Sequence, residues 1–328
     1  MKLSSKFGVV AVAVGLIVGI APAAQAASLS GAGASFPQLL IEACKVPFNK
    51  KTGHSLTYGG GGSGAGKTAS DNQTGDVWFS DSPHTATTAR PTLVHIPAVA
   101  APIAVLHNLP ASTQLYLSPT TAAKIFAGEI TRWNDPAIVK DNNRKVTEVI
   151  YRKNAQGDVV KNKKGQPKVV RTVTRNARYT LPNQKITVIF RADKSGTSKN
   201  FTSWLRGVNP AVWTKSSNDL FSTAFPGTIN APGNIGRIVG ANFSAGVSQL
   251  AAATKYSITY AEASYGTKYN LRTAAIGNAS GNFMLPTAAA TGAFLASSKV
   301  GSTGFFTFDY DTKEPGAYTL GIISYMLG

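Results

Sequence analysis

The 328-residue sequence carries 33 Lys and Arg against 15 Asp and Glu, a net charge of +18, and 43% of its residues are hydrophobic. That length suits two lobes, and the basic excess favours anionic partners. The single cysteine, Cys44, excludes an internal disulfide, and its apolar neighbours predict a buried small hydrophobe. Since the four histidines lack metal-ligand spacing, we expect no metal and no cofactor.

Residues 1–26 have the pattern of a secretory signal peptide. Lys2 and Lys6 form a basic start, an apolar run follows, and residues 24–26 are a small-x-small cleavage site. No later segment is long and apolar enough to span a membrane. We therefore expect a periplasmic or secreted mature chain.

Two glycine-rich turns stand before predicted helices near the start of the mature chain. After the first turn, Ser35 is expected to cap a helix that runs to about Lys51. The second turn follows a strand at 55–58, contains Ser63 and matches a phosphate-binding loop pattern over 61–68. Because expected export and the high glycine content disfavour a nucleotide loop, we interpret this turn as backbone N–H groups and a hydroxyl facing an anion.

The next short strand ends at Asp81, an acid between Ser80 and Ser82. A carboxylate beside an anion site is useful when the ligand carries a proton. It accepts a hydrogen bond from a protonated oxyanion and repels one that has no proton. The alternative is an aspartate that caps a turn.

The middle of the chain contains an apolar strand, a helix and a basic hairpin. Leu93–Leu106 is nearly continuous apolar sequence, which we interpret as a buried crossover between lobes, and 118–128 reads as a capped helix. Residues 146–180 alternate as a long β-hairpin, and between Arg144 and Arg178 eleven Lys and Arg face two acids, a net charge of +9. Such a patch should attract phosphate, nucleic acid, anionic lipid or cell-wall polymer; the alternative is a solvated hairpin that keeps the protein soluble.

The stretch after residue 185 is the most informative part of the sequence. A buried strand at 186–190 ends at Arg191, and a turn with Ser195 or Thr197 as the cap begins an amphipathic helix. A helix start, two hydroxyls and a guanidinium together predict a site for a tetrahedral oxyanion. The alternative is a capped helix beside a surface salt bridge between Arg191 and Asp193.

The remaining sequence continues the alternation of strands and helices. We predict a helix over 245–253, a strand over 257–261, a strand running into a helix over 282–296, and a final strand over 316–327. The fold class is therefore α/β.

Taken in chain order, the motifs of this sequence resemble those of the periplasmic phosphate-binding proteins of phosphate ABC transporters, the PstS type that includes the DING proteins. The matching pieces cover most of 28–325 and are 31–37, the glycine stretch with Ser63, 80–83, 126–128 with 130–136, 191–197 and 257–262.

The resemblance implies a two-lobed fold with inorganic phosphate between the lobes and an ABC permease as partner. Lobe one would be 27–104 plus 258–328, and lobe two would be 105–257 with the hairpin inserted. The implied phosphate ligands are Ser35, Phe36, Ser63, Asp81, Arg191, Ser195, Gly196 and Thr197, with Asp193 holding Arg191 in place. No catalytic residue is implied.

Three features depart from the family pattern: the long hairpin, Lys194 in place of a glycine, and the absence of helices after the last strand before Gly328. Two other functions stay open. One is a secreted phosphatase-like enzyme that uses Ser63 or Ser195, although no histidine is placed to activate either hydroxyl. The other is polyanion binding through 146–180, which can coexist with phosphate binding.

Overall fold

The computed structural model describes residues 26–84, 90–110, 114–155, 159–177, 180–301 and 304–328. The predicted signal peptide, apart from its last residue, lies outside this range. Among the described residues, no helix combines the length and the apolar character needed to cross a membrane.

Helices and strands alternate along the chain, as expected for an α/β protein. The larger strands are β1 Ser28–Gly33, β2 Ser55–Gly59, β3 Val77–Ser80, β4 His95–His107, β6 Arg144–Tyr151, β7 Val169–Ala177, β8 Thr187–Arg191, β9 Ile238–Ala241, β10 Ser257–Glu262 and β16 Gly321–Leu327. The short strands are β5 Tyr116–Leu117, β11 Arg272–Thr273, β12 Ala275–Gly277, β13 Phe283–Met284, β14 Lys299–Val300 and β15 Phe306–Thr307. The helices are α1 Gln38–Thr52, α2 Ser63–Asp71, α3 Pro119–Phe126, α4 Pro136–Asn142, α5 Gly196–Val208, α6 Phe221–Ala224, α7 Phe243–Ala253, α8 Ala263–Lys268 and α9 Ala288–Ala296.

One long strand, β4, joins two halves of the main sheet. The strand order is β2-β1-β3-β16-β4-β10-β8-β9. Residues 95–102 of β4 pair with β16, while residues 103–107 pair with β10. A strand is therefore present within the apolar stretch predicted at 93–106, but the prediction that it is buried throughout is wrong. Its second half is buried, whereas the first half is partly exposed, with Ile96 at 42%. The lobe boundaries within the chain stay a prediction.

The core lies under helix α5. Phe201, Trp204 and Leu205 are fully buried, which confirms the predicted apolar face of this helix. Phe201 stacks on Tyr260 of β10 at 4.2 Å between ring centroids and meets Phe126 of α3 edge-on at 4.7 Å. This aromatic cluster fixes where α5 begins, because the helix cannot slide without breaking several ring contacts.

Helix α1 differs from the sequence prediction. It contains no buried residue, and Cys44, predicted to be a buried small hydrophobe, is exposed. Its N-cap is Pro37 rather than Ser35, and no side chain caps it. The Ser35 hydroxyl instead accepts a hydrogen bond from the Ser244 N–H at 3.2 Å. A helical pattern alone does not reveal whether another element covers the apolar face of the helix. A hydroxyl expected to cap a helix can instead form a hydrogen bond with a residue far away in the sequence.

The predicted basic hairpin is present as a separate two-stranded sheet of β6 and β7. Its register runs from Arg144 opposite Ala177 to Tyr151 opposite Val169, with a bulge after Ile150.

A matched pair of leucine truncations tests where the core lies. Leu106 in β4 is 0% exposed and Leu40 in α1 is 50% exposed. Leu106→Ala should lower the free energy of unfolding by about 2–5 kcal/mol because it leaves a cavity, and Leu40→Ala by less than about 1 kcal/mol. Denaturant unfolding measures both, and equal losses would contradict this placement of the core.

Candidate functional site

Strand β8 and helix α5 supply the central part of the site. β8 ends at Arg191, and α5 begins at Gly196 after the Ser195 cap, whose hydroxyl accepts a hydrogen bond from the Ser198 N–H at 3.2 Å. The predicted cap is therefore confirmed. Since the Ser195 oxygen acts as an acceptor in this bond, its own O–H stays available to donate to an anion.

Arg191 is held by a fork of two bonds to Asp193. Its Nε and Nη2 donate to the two carboxylate oxygens at 2.7 and 2.6 Å, and its Nη1 donates to the Ser244 hydroxyl at 3.1 Å. The Arg191 side chain is 1% exposed, so this is a buried pair and not the surface salt bridge of the alternative interpretation. A guanidinium has five N–H groups, and these bonds leave two to face an anion.

The charge state of Asp193 follows from its environment. Burial alone would raise the pKa of this carboxyl, but hydrogen bonds and the charge of Arg191, with a bond from the Phe243 N–H, hold the pKa below its usual value. Asp193 is therefore ionised at neutral pH and fixes the orientation of Arg191.

The N-terminal segments add hydroxyls from the opposite side. The Ser63 hydroxyl, at the start of α2, accepts a hydrogen bond from the Asp81 N–H at 3.0 Å. The Ser35 hydroxyl lies 3.2 Å from that of Ser244, which contacts Arg191. Both serines are buried.

Asp81 is a buried carboxylate with spare acceptor capacity. Its Oδ2 accepts a hydrogen bond from the Thr197 hydroxyl at 3.4 Å, and among the described residues its buried Oδ1 has no partner. Burial raises the pKa of Asp81 to about 6, although the nearby Ser324 hydroxyl and the charge of Arg191 act in the opposite direction. An unpartnered buried oxygen is a costly arrangement that a bound proton donor would relieve.

The start of α5 packs closely against the segments that carry Ser63 and Asp81. A Cβ placed on Gly196 would lie 2.5 Å from the Ser63 oxygen and 2.7 Å from the Cβ of Asp81. Asn200 bridges the same junction, because its amide donates to the Asp81 carbonyl at 2.6 Å and to the Gly196 carbonyl at 2.9 Å. Residue 196 therefore has to be glycine for this approach.

All the predicted ligand residues are buried, and the contacts described above bring their chain segments to one place. These residues are Ser35, Phe36, Ser63, Asp81, Arg191, Ser195, Gly196 and Thr197. We call this group the cradle.

Sequence reasoning missed four polar residues that support the cradle. Ser244 and Asn200 bond to it directly, as described above. The Tyr260 hydroxyl accepts from the Arg191 N–H at 3.2 Å, and the Tyr265 hydroxyl donates to the Ser35 carbonyl at 3.0 Å. Ser244 lies in the first turn of α7, so a helix-start pattern could have indicated it. The tyrosines carry no local signal.

A cavity of about 390 Å³ lies beside the cradle and is lined in part by Lys67, Ser82, Lys194 and Asp219. The Lys67 ammonium pairs with the Asp219 carboxylate at 2.8 Å. In a nucleotide loop this lysine would reach the phosphates. Its pairing with Asp219 agrees with the expectation that 61–68 is not a nucleotide loop.

The cradle can hold a small oxyanion. It offers hydroxyl donors, a fixed guanidinium and the N-terminus of α5, together with one carboxylate that selects for a protonated ligand. Among the described residues, no group of His, Cys, Asp and Glu is arranged to hold a metal ion.

Comparison with known proteins places the chain in a family. A family model described as the PBP superfamily domain matches residues 20–327. The chain is 31% identical over 288 residues to the phosphate-binding protein PstS2 of Mycobacterium bovis, an alignment that covers 83% of this chain and 65% of that protein. It is also 31% identical over 278 residues to the phosphate-binding protein PstS of Haemophilus influenzae, covering 83% of this chain and 69% of that protein. The chain therefore belongs to the PBP superfamily and, within it, to the PstS type of phosphate-binding proteins.

Solved structures show the same two-lobed α/β fold. A high affinity periplasmic phosphate-binding protein, PfluDING, bound with phosphate, matches with a TM-score of 0.64 at 20% identity, covering 92% of this chain and 80% of that one. A phosphate-binding protein from Stenotrophomonas maltophilia matches with a TM-score of 0.58 at 19% identity, covering 92% and 78%. The predicted fold class and family resemblance are thus confirmed.

The raised pKa of Asp81 predicts a pH-dependent contribution to stability. Its folded pKa of about 6 lies above the ordinary 3.8, so the folded state binds the proton more tightly and stability falls as pH rises between these values. Relative to Asp81→Asn, which does not titrate there, the protein should gain about 2–3 kcal/mol in free energy of unfolding from pH 7 to pH 4. If the free energies of unfolding of the two proteins differ by the same amount at pH 7 and at pH 4, the raised pKa of Asp81 is wrong.

Proposed function

We propose that the protein is an extracytoplasmic receptor that binds inorganic phosphate in the cradle and delivers it to an ABC permease. The observation that carries this proposal is the cradle itself, in which a fixed Arg191 and an acceptor carboxylate, Asp81, share one buried site. The family supports the same ligand, because its relatives are phosphate-binding proteins.

In this proposal the eight cradle residues are the phosphate ligands, and Asp193 keeps Arg191 in place. The Arg191 guanidinium neutralises the negative charge, and the hydroxyls of Ser63 and Ser195 donate to phosphate oxygens. The Thr197 hydroxyl, which donates to Asp81 in this structure, would turn from that carboxylate to donate to phosphate. The carboxylate of Asp81 accepts a hydrogen bond from a protonated phosphate oxygen. Sulfate has no proton to donate at neutral pH, so Asp81 repels it.

The proposed delivery step follows from the two-lobed fold. We take lobe one as 27–104 plus 258–328 and lobe two as 105–257. The contacts of Asn200 and Gly196 with Asp81 then join the lobes, and they would form and break as the lobes close and open around the anion. The closed form would present one surface to the permease.

A phosphatase function has less support from the site. Hydrolysis by Ser63 or Ser195 would need a base that removes the hydroxyl proton. Within the described part of the chain, neither hydroxyl bonds to a histidine; the bonds that they accept come from backbone N–H groups. We therefore propose binding without catalysis.

Removal of the guanidinium tests the binding site. Arg191→Ala should weaken phosphate binding by at least about 30-fold, since truncating one partner of a buried charge pair costs roughly 2–5 kcal/mol. Isothermal titration calorimetry measures the change, with Arg272→Ala as a control because Arg272 is exposed and outside the cradle.

Arg191→Ala leaves the carboxylate of Asp193 without its partner. A second variant, Arg191→Met with Asp193→Asn, removes both charges of the pair and leaves the net charge of the site unchanged. Both variants should unfold cooperatively and lose phosphate binding. Tight phosphate binding in either folded variant would refute the assignment of the site.

Sulfate binding should depend on the protonation of Asp81. Because the pKa of Asp81 is raised to about 6, the carboxylate is ionised at pH 7.5 and should exclude sulfate. Below pH 6 the protonated carboxyl can donate a hydrogen bond, so sulfate affinity should rise as pH falls. In Asp81→Asn, sulfate should bind at pH 7.5. Equal sulfate affinity at pH 5 and pH 7.5 in the unmodified protein would argue against this selection.

A further inference from the structure

The hairpin of β6 and β7 is the largest feature that phosphate binding leaves unexplained. It forms a two-stranded sheet of its own and does not pair with the main sheet. Strand β6 has 8 residues, which at about 3.3 Å per residue gives a ribbon roughly 25 Å long before the tip. This length is several times the Debye length of about 8 Å in physiological salt, so charges at the tip act apart from those at the base.

Hydrogen bonds tie together the described residues of the hairpin tip, 152–155 and 159–168. The Arg152 N–H donates to the Lys168 carbonyl, the Val160 N–H to the Arg152 carbonyl and the Lys168 N–H to the Val160 carbonyl, each at 2.8 Å. The Asn162 side chain accepts hydrogen bonds from the N–H groups of Lys164 and Gln166 at 2.9 and 3.0 Å. The lysines are therefore presented on an ordered surface.

The cations of the hairpin are free to meet a partner. Among the side chains that the structure describes, these residues are exposed and form no ion pair: Lys145, Arg152, Lys153, Lys161, Lys163, Lys164, Lys168 and Arg171. A solubilising surface usually mixes charges of both signs. Here, the sequence from 144 to 178 has eleven basic residues and two acidic ones.

Apolar side chains lie among these cations. Val149, Tyr151, Val169 and Val170 are all exposed by more than a third. Tyr151 and Val169 are cross-strand partners, so they project from the same face of the ribbon. Exposed valines and a tyrosine beside lysines match the interface of a bilayer, where the apolar groups enter the headgroup region and the cations meet lipid phosphates.

The combination of lysines with exposed aliphatic side chains favours lipid over nucleic acid as the partner of the hairpin. A protein that holds single-stranded nucleic acid stacks successive bases on several aromatic rings, whereas in this hairpin Tyr151 stands with three aliphatic residues. We propose that the β6–β7 hairpin binds anionic lipid bilayers. It would keep the receptor at the membrane surface, which on the proposed function is where a permease receives phosphate.

Vesicle sedimentation tests the proposal. The protein starting at residue 27 should bind vesicles of phosphatidylcholine with 30% phosphatidylglycerol, and should bind pure phosphatidylcholine vesicles at least tenfold more weakly. The triple variant Lys161→Gln, Lys163→Gln, Lys164→Gln should lose about 100-fold in affinity for the anionic vesicles, because each lysine near such a surface contributes roughly fivefold. Salt should weaken the binding.

Two further variants separate lipid binding from general charge attraction. Lys140→Gln, Lys255→Gln, Lys299→Gln removes the same charge from exposed positions outside the hairpin and should bind almost as the unmodified protein does. Tyr151→Ser with Val169→Ser should weaken vesicle binding severalfold and leave binding to a DNA duplex unchanged.

Three outcomes would overturn the proposal. They are the absence of binding to the anionic vesicles, equal losses in the two triple variants, and hairpin-dependent binding to the DNA duplex without binding to vesicles. The last outcome would assign the hairpin to nucleic acid. A phosphate titration of the same variants distinguishes this failure from failure of the proposed function, since the hairpin lies outside the cradle and phosphate affinity should not change.

Discussion

The buried pair of Arg191 and Asp193 is the interaction on which the site depends. A guanidinium inside a protein needs a carboxylate partner, and two short bonds to Asp193 provide one. With the bond to Ser244, three of the five N–H groups are used and two remain for an anion. The same carboxylate also accepts a bond from the Phe243 N–H at 2.9 Å, which ties β8 to the start of α7. One ion pair thus sets both the charge and the geometry of the cradle.

The site also needs a group that accepts a proton of the ligand, and Asp81 is that group. A site with only cations and donors would hold any oxyanion, whereas a buried carboxylate makes the site depend on the protons of the ligand. The geometry permits this because Gly196 has no side chain and the start of α5 can approach Ser63 and Asp81 closely. Selectivity and close packing therefore rest on the same few residues.

Much of this arrangement could be predicted from the sequence because its signals are local. A strand that ends at Arg191, a capping serine and a glycine next to it occur within six residues. The supporting contacts could not be predicted, since the bond between Ser35 and Ser244 joins residues 209 positions apart. The exposure of Cys44 was missed for a related reason, because the pattern of α1 does not say what packs on it.

A crystal structure of the protein grown with phosphate would test the central claim most directly. We expect tetrahedral density within hydrogen-bonding distance of the Arg191 guanidinium, the Ser63 hydroxyl and Asp81 Oδ1, with Asp193 still paired to Arg191. Phosphate bound elsewhere, for example in the neighbouring cavity lined by Lys67 and Lys194, with the cradle unchanged and without an anion, would contradict it.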